Sequence, residues 1–335
     1  MELKGKVYLS QKLQRHRARA LLRYQQYAMK HVDNNFSVTI PQSIRNRYRS
    51  VLGWTGKGVD SLADRLVFRE FMHDDYETNE IFTVNNPDVF FDSVVLSALI
   101  ASCAFVYISK GPDDLPRLQV IEATNATGVI DPITGLLPEG YAVLARDNLY
   151  NPVVEYAVGL SNDAEPMDTL KATVSSMLQF TKDENNDSPT LGQFSTASMS
   201  PFTEQLKTAA AGFAGESGLT MDDLGFASDN PSSVEAIKAS HENLRLAGRK
   251  AQRSLGAGLL NVAYLAACLR DQQPYYRSQF SKTVPKWEPL FEADASALTL
   301  IGDGALKLNQ AIPGFIDAEI IRDLTGVKGA DGSGQ

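Results

Sequence analysis

The segment Asp229–Asp271, DNPSSVEAIKASHENLRLAGRKAQRSLGAGLLNVAYLAACLRD, constrains the fold more than any other part of the chain. Ile237, Leu244, Ala251, Leu255, Leu259, Val262, Ala266 and Leu269 recur at steps of three, four and seven, the spacing of one helix face. Asn230 or Ser232 can accept the first free N–H groups, Pro231 suits a first turn, and Ser232 with Glu235 forms a capping box. The pattern predicts one helix of about forty residues, roughly 60 Å long at 1.5 Å per residue, where helices average ~11–12 residues. Gly256 and Gly258 leave room for a close neighbour or a local bend. Single-domain enzymes seldom need such a rod; bundles, channels and assemblies do.

The chain has 335 residues, enough for two domains or one elaborate one. Cys103 and Cys268 both sit in apolar runs, which suits buried thiols in a reducing compartment better than a disulfide framework. The longest apolar run, Val94–Ile108, is shorter than the ~20 residues of a membrane span, and the first residues lack an apolar signal core. A soluble protein made in the cytoplasm is expected, with no membrane partner.

The net charge of −8 conceals an asymmetry. Residues 1–70 hold fourteen Lys and Arg against five Asp and Glu, a balance of +9 that leaves −17 for the remainder. A basic N-terminal part suits nucleic acid or an acidic partner, or else a solvated helical face paired with acidic neighbours. The acidic body argues against tight, static duplex binding, which needs many cations on phosphates. Arg245, Arg249 and Arg253, four apart, read as a solvent stripe or intersubunit pairs, with nucleic-acid contact as the other reading.

Periodicity predicts helices over Leu9–His31, Gly53–Phe68, Asp92–Ser102, Pro201–Glu216 and Asp317–Leu324. Short strands are predicted at Ala104–Ser109, Arg117–Glu122 and Tyr141–Ala145, separated by turn clusters. Gly159–Met177 reads as a short loop and helix, and Thr181–Ser188 as a polar turn. Gly218–Asn230 reads as a loop, and Gly329–Gln335 as a flexible tail. On Pro201–Glu216, Phe202, Leu206, Ala209, Ala210 and Phe213 mark the expected buried side.

Catalytic and metal motifs are sparse. Gly53–Val59 has the glycines and lysine of a phosphate loop in the wrong places, since Gly58 stands where Ser or Thr should follow Lys57. Asp183-x-Asn185-x-Asp187 begins like a calcium loop, but Ser188 replaces the turn glycine and Phe194 the bidentate glutamate. His16, His31, His73 and His241 are scattered. Only His73 has carboxylates near it, Asp74, Asp75, Glu77 and Glu80, which suit a solvated loop more readily than a hydrolytic metal. No catalytic residue, metal ligand or cofactor is expected.

Four segments carry a resemblance to a known family. Lys30–Leu66 runs from Asn34-Asn35-Phe36 to Val59-Asp60-Ser61-Leu62-Ala63-Asp64-Arg65-Leu66. Ser97–Val106, SALIASCAFV, passes from helix to strand ahead of the Asp131-Pro132 turn. Pro189–Phe194, PTLGQF, precedes the Pro201–Gly215 helix, and Asn230–Leu244 leads into the long helix. In their order these segments resemble the portal proteins of tailed bacteriophages, particularly the group found in phages of actinobacteria.

The resemblance implies an α+β portal fold: a mixed α/β wing, a short clip, a helical stem and a long wing-to-crown helix. It implies a wing at 1–156, a shortened clip and connecting region at 157–200, a stem helix and tunnel loop at 201–233, the long helix and crown at 234–328, and the tail at 329–335. Such subunits form rings of about a dozen copies around a channel at a capsid vertex. The function implied is DNA packaging, head–tail joining and genome ejection, without catalysis. The implied partners are further copies, a terminase motor, capsid or scaffold protein, head–tail connectors, and double-stranded DNA passing without sequence specificity. The implied location is the virion, and the host cytoplasm during assembly. Thr220, Asp222, Asp223, Ser228 and Asp229 are then expected to border the channel.

One departure stands out. Val153–Val158 passes almost directly into Gly159-Leu160-Ser161, where the family carries a further strand-rich run and a descending stem helix. A missing segment would uncover apolar surface on Pro201–Glu216 and weaken ring closure. The alternatives are a nucleic-acid-binding scaffold using the basic N-terminal part and a metal-dependent hydrolase using the carboxylates near His73.

Overall fold

A computed structural model describes residues 3–30, 52–111, 115–133, 135–146, 152–158, 169–175, 200–226, 241–291, 293 and 295–327. These form a mixed α+β protein, mostly helical, with three small antiparallel sheets among the described residues. No described helix is long and apolar enough to cross a membrane.

The first sheet has β2 (Cys103–Lys110) between β3 (Pro116–Glu122) and β7 (Thr169–Ser175). Along β2 the buried residues are Ala104, Val106 and Ile108, every second position, as a strand with one covered face requires. That face packs under α4 (Pro87–Ala101), whose Val94, Val95 and Ala98 are buried. The second sheet has β5 (Glu139–Arg146) between β4 (Ala126–Val129) and β6 (Pro152–Val158). Helix α1 (Gly5–Tyr27) crosses it, setting Leu9 and Leu13 against Tyr141. The third is a ribbon of β1 (Phe68–Met72) with β8 (Val284–Trp287), bulged between Phe68 and Glu70.

The start of α1 is capped from far along the chain. Glu139, only 1 % exposed, accepts the backbone N–H groups of Lys4 at 2.6 Å and Gly5 at 2.8 Å, and the Tyr156 hydroxyl at 2.9 Å. Burial alone would raise its carboxyl pKa, but the three donors and the Lys4 charge outweigh burial and hold it below the usual range. A carboxylate at the positive end of a helix also suits the helix dipole.

The long helix is α6 (Glu242–Asp271), thirty residues or about 45 Å at 1.5 Å per residue. It is shorter than the forty-residue rod expected from its periodicity. It begins after His241, whose backbone is not helical, and the proposed caps at Asn230 and Ser232 lie outside the described residues. Its first half buries one stripe, Leu244, Gly248, Ala251 and Leu255. From Gly258 to Cys268 every residue is buried, because β2, β7, β8 and α3 (Thr78–Thr83) surround it. The close neighbour allowed by Gly256 is a strand: a Cβ there would meet Pro285 Cγ of β8 at 2.8 Å.

Helix α2 (Trp54–Ala63) ends before Phe68, which starts β1, so the predicted run to Phe68 is two elements. Its glycines serve packing. A Cβ at Gly56 would sit 3.3 Å from the Tyr27 carbonyl, and one at Gly58 would sit 3.4 Å from the Phe213 ring.

Three further expectations need correction. Thr169–Ser175, expected within a loop and helix, is β7 and pairs antiparallel with β2, so this stretch extends the first sheet. Between Asp271 and Asp317, where the sequence shows no clear periodicity, the chain forms β8 and α7 (Ala295–Ala311); α8 (Ala318–Thr325) matches the helix predicted at Asp317–Leu324. On α5 (Ser200–Ser217) only Ala210 and Ala214 are buried; Phe213 is half-buried, while Ala209, Phe202 and Leu206 are exposed. The expectations for Thr181–Ser188, Pro189–Phe194 and Gly329–Gln335 fall outside the described residues.

Candidate functional site

The loop expected to border a channel begins where α5 stops. Gly218 adopts φ +74°, and a Cβ there would lie 2.9 Å from the Leu244 backbone nitrogen, so the chain turns in direct contact with α6. Leu219 is buried beneath it. Asp222–Leu224 forms a single 3₁₀ turn that ends at Gly225, φ +87°. Phe213 and Phe226 flank Trp54 of α2, with ring centroids 6.0 and 6.4 Å away. These contacts fix the start of the loop to the body.

Asp223 organises the polar side. Its Oδ2 accepts the Thr220 backbone N–H and hydroxyl, both at 2.8 Å, and lies 3.2 Å from His241 Nε2. The Asp223 N–H in turn donates to Thr220 Oγ1 at 3.1 Å. Burial pushes this carboxyl up, but the Thr220 donors and His241 together bring it below its ordinary value. The group is therefore anionic at neutral pH and ties the end of α5 to the start of α6. Asp222 is exposed beside it.

Of the five residues expected at the channel, the structure brings Thr220 and Asp223 into one turn and places Asp222 on its surface. Ser228 and Asp229 lie outside the described residues. The sequence reading missed His241, which it set aside as an isolated histidine. The Thr-x-x-Asp spacing announces the local turn, but no local pattern links Asp223 to a residue eighteen positions on.

The carboxylates near His73 are arranged differently from a metal site. Asp74 accepts Thr78 Oγ1 at 2.9 Å and the Asn79 N–H at 2.8 Å, capping α3. The Tyr76 and Glu77 carbonyls receive the Arg270 guanidinium at 2.7 and 3.1 Å. Asp75, Glu77 and Glu80 face solvent. Among the described residues no three His, Cys, Asp or Glu side chains are grouped to hold a metal ion. An open cleft of about 500 Å³ lies between β1 and α8. Beside it Asp323 of α8 pairs with Arg69 of β1 at 3.0 Å and with Lys286 of β8.

Both cysteines are free thiols, Cys268 buried and Cys103 half-buried, and burial pushes both thiol pKa values up. Arg245 pairs within its own helix with Glu242 at 2.8 Å, while Arg249 and Arg253 are exposed.

No protein family model matches the chain, and no curated protein matches it.

Proposed function

We propose that this chain is a subunit of a ring-shaped portal at a capsid vertex, a channel for double-stranded DNA during packaging and ejection. One observation carries the reading. A long helix buried in the body is accompanied by two helices, α5 and α7, several of whose large apolar side chains are exposed among the described residues. Phe202 on α5 is 59 % exposed and Leu300 on α7 is 72 % exposed; on each helix the only fully buried residues are alanines. Helices of this kind are stable in an assembly whose other copies cover them.

In this reading α1 to β7 make the wing, α5 the stem, the Gly218–Phe226 turn the start of the tunnel loop, and α6 the strut from wing to crown. Helices α7 and α8 belong to the crown. The partners are other copies, a packaging motor, capsid or scaffold protein and tail connectors, and the assembled protein belongs to the virion. DNA needs to slide rather than bind. An acidic body, −17 outside the first seventy residues, repels phosphate and avoids the cation contacts that would hold it. The metal-dependent hydrolase is not proposed, because its carboxylates are spent on capping and solvent.

Negative-stain images and mass measurement test the reading. A ring of about a dozen 36.6 kDa subunits has a mass of about half a megadalton. Compact monomers at every concentration would count against it. For the loop, Asp222→Lys is the informative change: it should slow DNA passage and leave assembly intact. Asp223→Lys is not equivalent, because it also removes the tie to Thr220 and His241.

A further inference from the structure

Two stripes of opposite charge lie at different places along one helix pair. On α1, Arg15, Arg19 and Leu22 follow at i, i+4 and i+7 and are all exposed. Neither arginine has an ion pair among the described residues. On α4, Asp88 and Asp92 are also one turn apart, exposed, and without an ion pair among the described residues. Val89 beside them is 60 % exposed, and Glu77 and Glu80 add negative charge nearby in the chain. Like charges four apart weaken the helix that carries them unless an opposite charge faces them.

The stripes do not meet within a subunit. Helix α1 runs back along α4 from its far end, where Ala20 packs on Ala101, Arg23 donates to the Ala101 carbonyl at 2.9 Å and Tyr24 shares a hydrogen bond with Ser97 at 2.7 Å, as far as Tyr27, which feels the Asp92 charge; Arg15 and Arg19 lie on the other side of Ala20. Asp92 and Asp88 lie about 14 and about 20 Å back along α4 from Ala101, at 1.5 Å per residue. Each subunit thus offers a basic stripe on α1 and an acidic stripe on α4 of equal spacing, each with an uncovered aliphatic residue beside it, alongside the exposed Arg249 and Arg253 of α6.

We infer that α1 of one subunit docks on the N-terminal half of α4 of a second copy, with Arg15 and Arg19 facing the second copy's equivalents of Asp88 and Asp92. The inference rests on the ring-subunit reading and names the surface that joins neighbours. Used head to tail, the contact repeats from subunit to subunit. Charge complementarity sets register and speeds encounter, while the aliphatic residues supply area.

The test is a charge exchange followed by sedimentation velocity at about 0.05 M and about 1 M salt, which brackets strong and weak screening. Arg15→Glu with Arg19→Glu should weaken self-association by about tenfold or more at low salt, as should Asp88→Lys with Asp92→Lys. A chain carrying all four changes should recover it, because the inverted stripes again match; recovery also shows that the substitutions do not unfold the protein. Association that persists unchanged in both two-site variants overturns this contact and leaves the ring reading standing. Charge-dependent association that stops at two copies keeps the contact and overturns the ring. A wild-type chain that never self-associates overturns both. So does one that instead binds duplex DNA through Arg15 and Arg19, which would assign the stripe to nucleic acid.

Discussion

Glu139 ties the beginning of α1 to the middle of a sheet more than a hundred residues away, through three donors on one buried carboxylate. Glu139→Gln keeps the size but loses the charge and one acceptor, and should cost about 1–3 kcal/mol by denaturant unfolding. The pH dependence follows from the direction of its shift. Its pKa is lower folded than unfolded, so its contribution is present above the unfolded value of about 4.3. The contribution is lost as pH falls through the folded value. Wild type should therefore lose stability in acid more steeply than the Gln variant; equal slopes would mean that the carboxylate is not anionic in the fold. Asp223, at a more exposed position, behaves in the same sense. The local half of each arrangement is legible in sequence, as in Thr220-x-x-Asp223. Glu139 with Lys4, and Asp223 with His241, are not, because a tertiary hydrogen bond leaves no periodic trace.

Helix α6 was legible because its apolar spacing is long and regular. Leu255 and Leu259, expected to be buried, are fully so, each contributing about 1.5–3 kcal/mol of burial. Leu259→Ala should cost on the order of 2–5 kcal/mol, read as a lower thermal midpoint; an unchanged midpoint would mean that the neighbours collapse into the space. Gly256→Ala tests the close approach of β8, since the new methyl would sit 2.8 Å from Pro285 Cγ. Overpacking there should cost about 1–3 kcal/mol, and no loss would show that the ribbon can shift outward. Elements with weaker local signals were misread. In α7, Leu298, Ile301, Ala305, Leu308 and Ile312 do keep helical steps, but Gly302, Asp303 and Gly304 interrupt them with residues that favour turns. In β7, Leu170, Ala172 and Val174 alternate with polar residues over only seven positions, too few to separate strand from loop. β8 is four residues with a proline among them, too short for alternation to show.

In an assembly, the side chains that α5 leaves uncovered matter most. A subunit with Phe202 and Leu206 uncovered on α5 has apolar surface that associates without choosing one partner geometry. We expect purified protein to run as a mixture of sizes by light scattering, monomers among them. Phe202→Ser with Leu206→Ser should narrow that mixture and leave the unfolding free energy within about 0.5 kcal/mol of wild type, since neither residue is core. A single homogeneous ring of the wild-type chain would show that the remaining stem suffices.

The β1–β8 ribbon sets a timetable for synthesis. Phe68–Met72 has no strand partner until Val284–Trp287 has left the ribosome, about 210 residues later, or roughly 10–40 s at ordinary elongation rates. Through that interval an unpaired edge waits beside Phe71, Phe82 and Phe91, which later close into one aromatic cluster. Nascent chains stalled shortly after Asp271 should be cut by protease near Phe68–Met72, and chains stalled well past Trp287 should resist. A chaperone that shields this first third would determine how much of the protein survives to meet its neighbours.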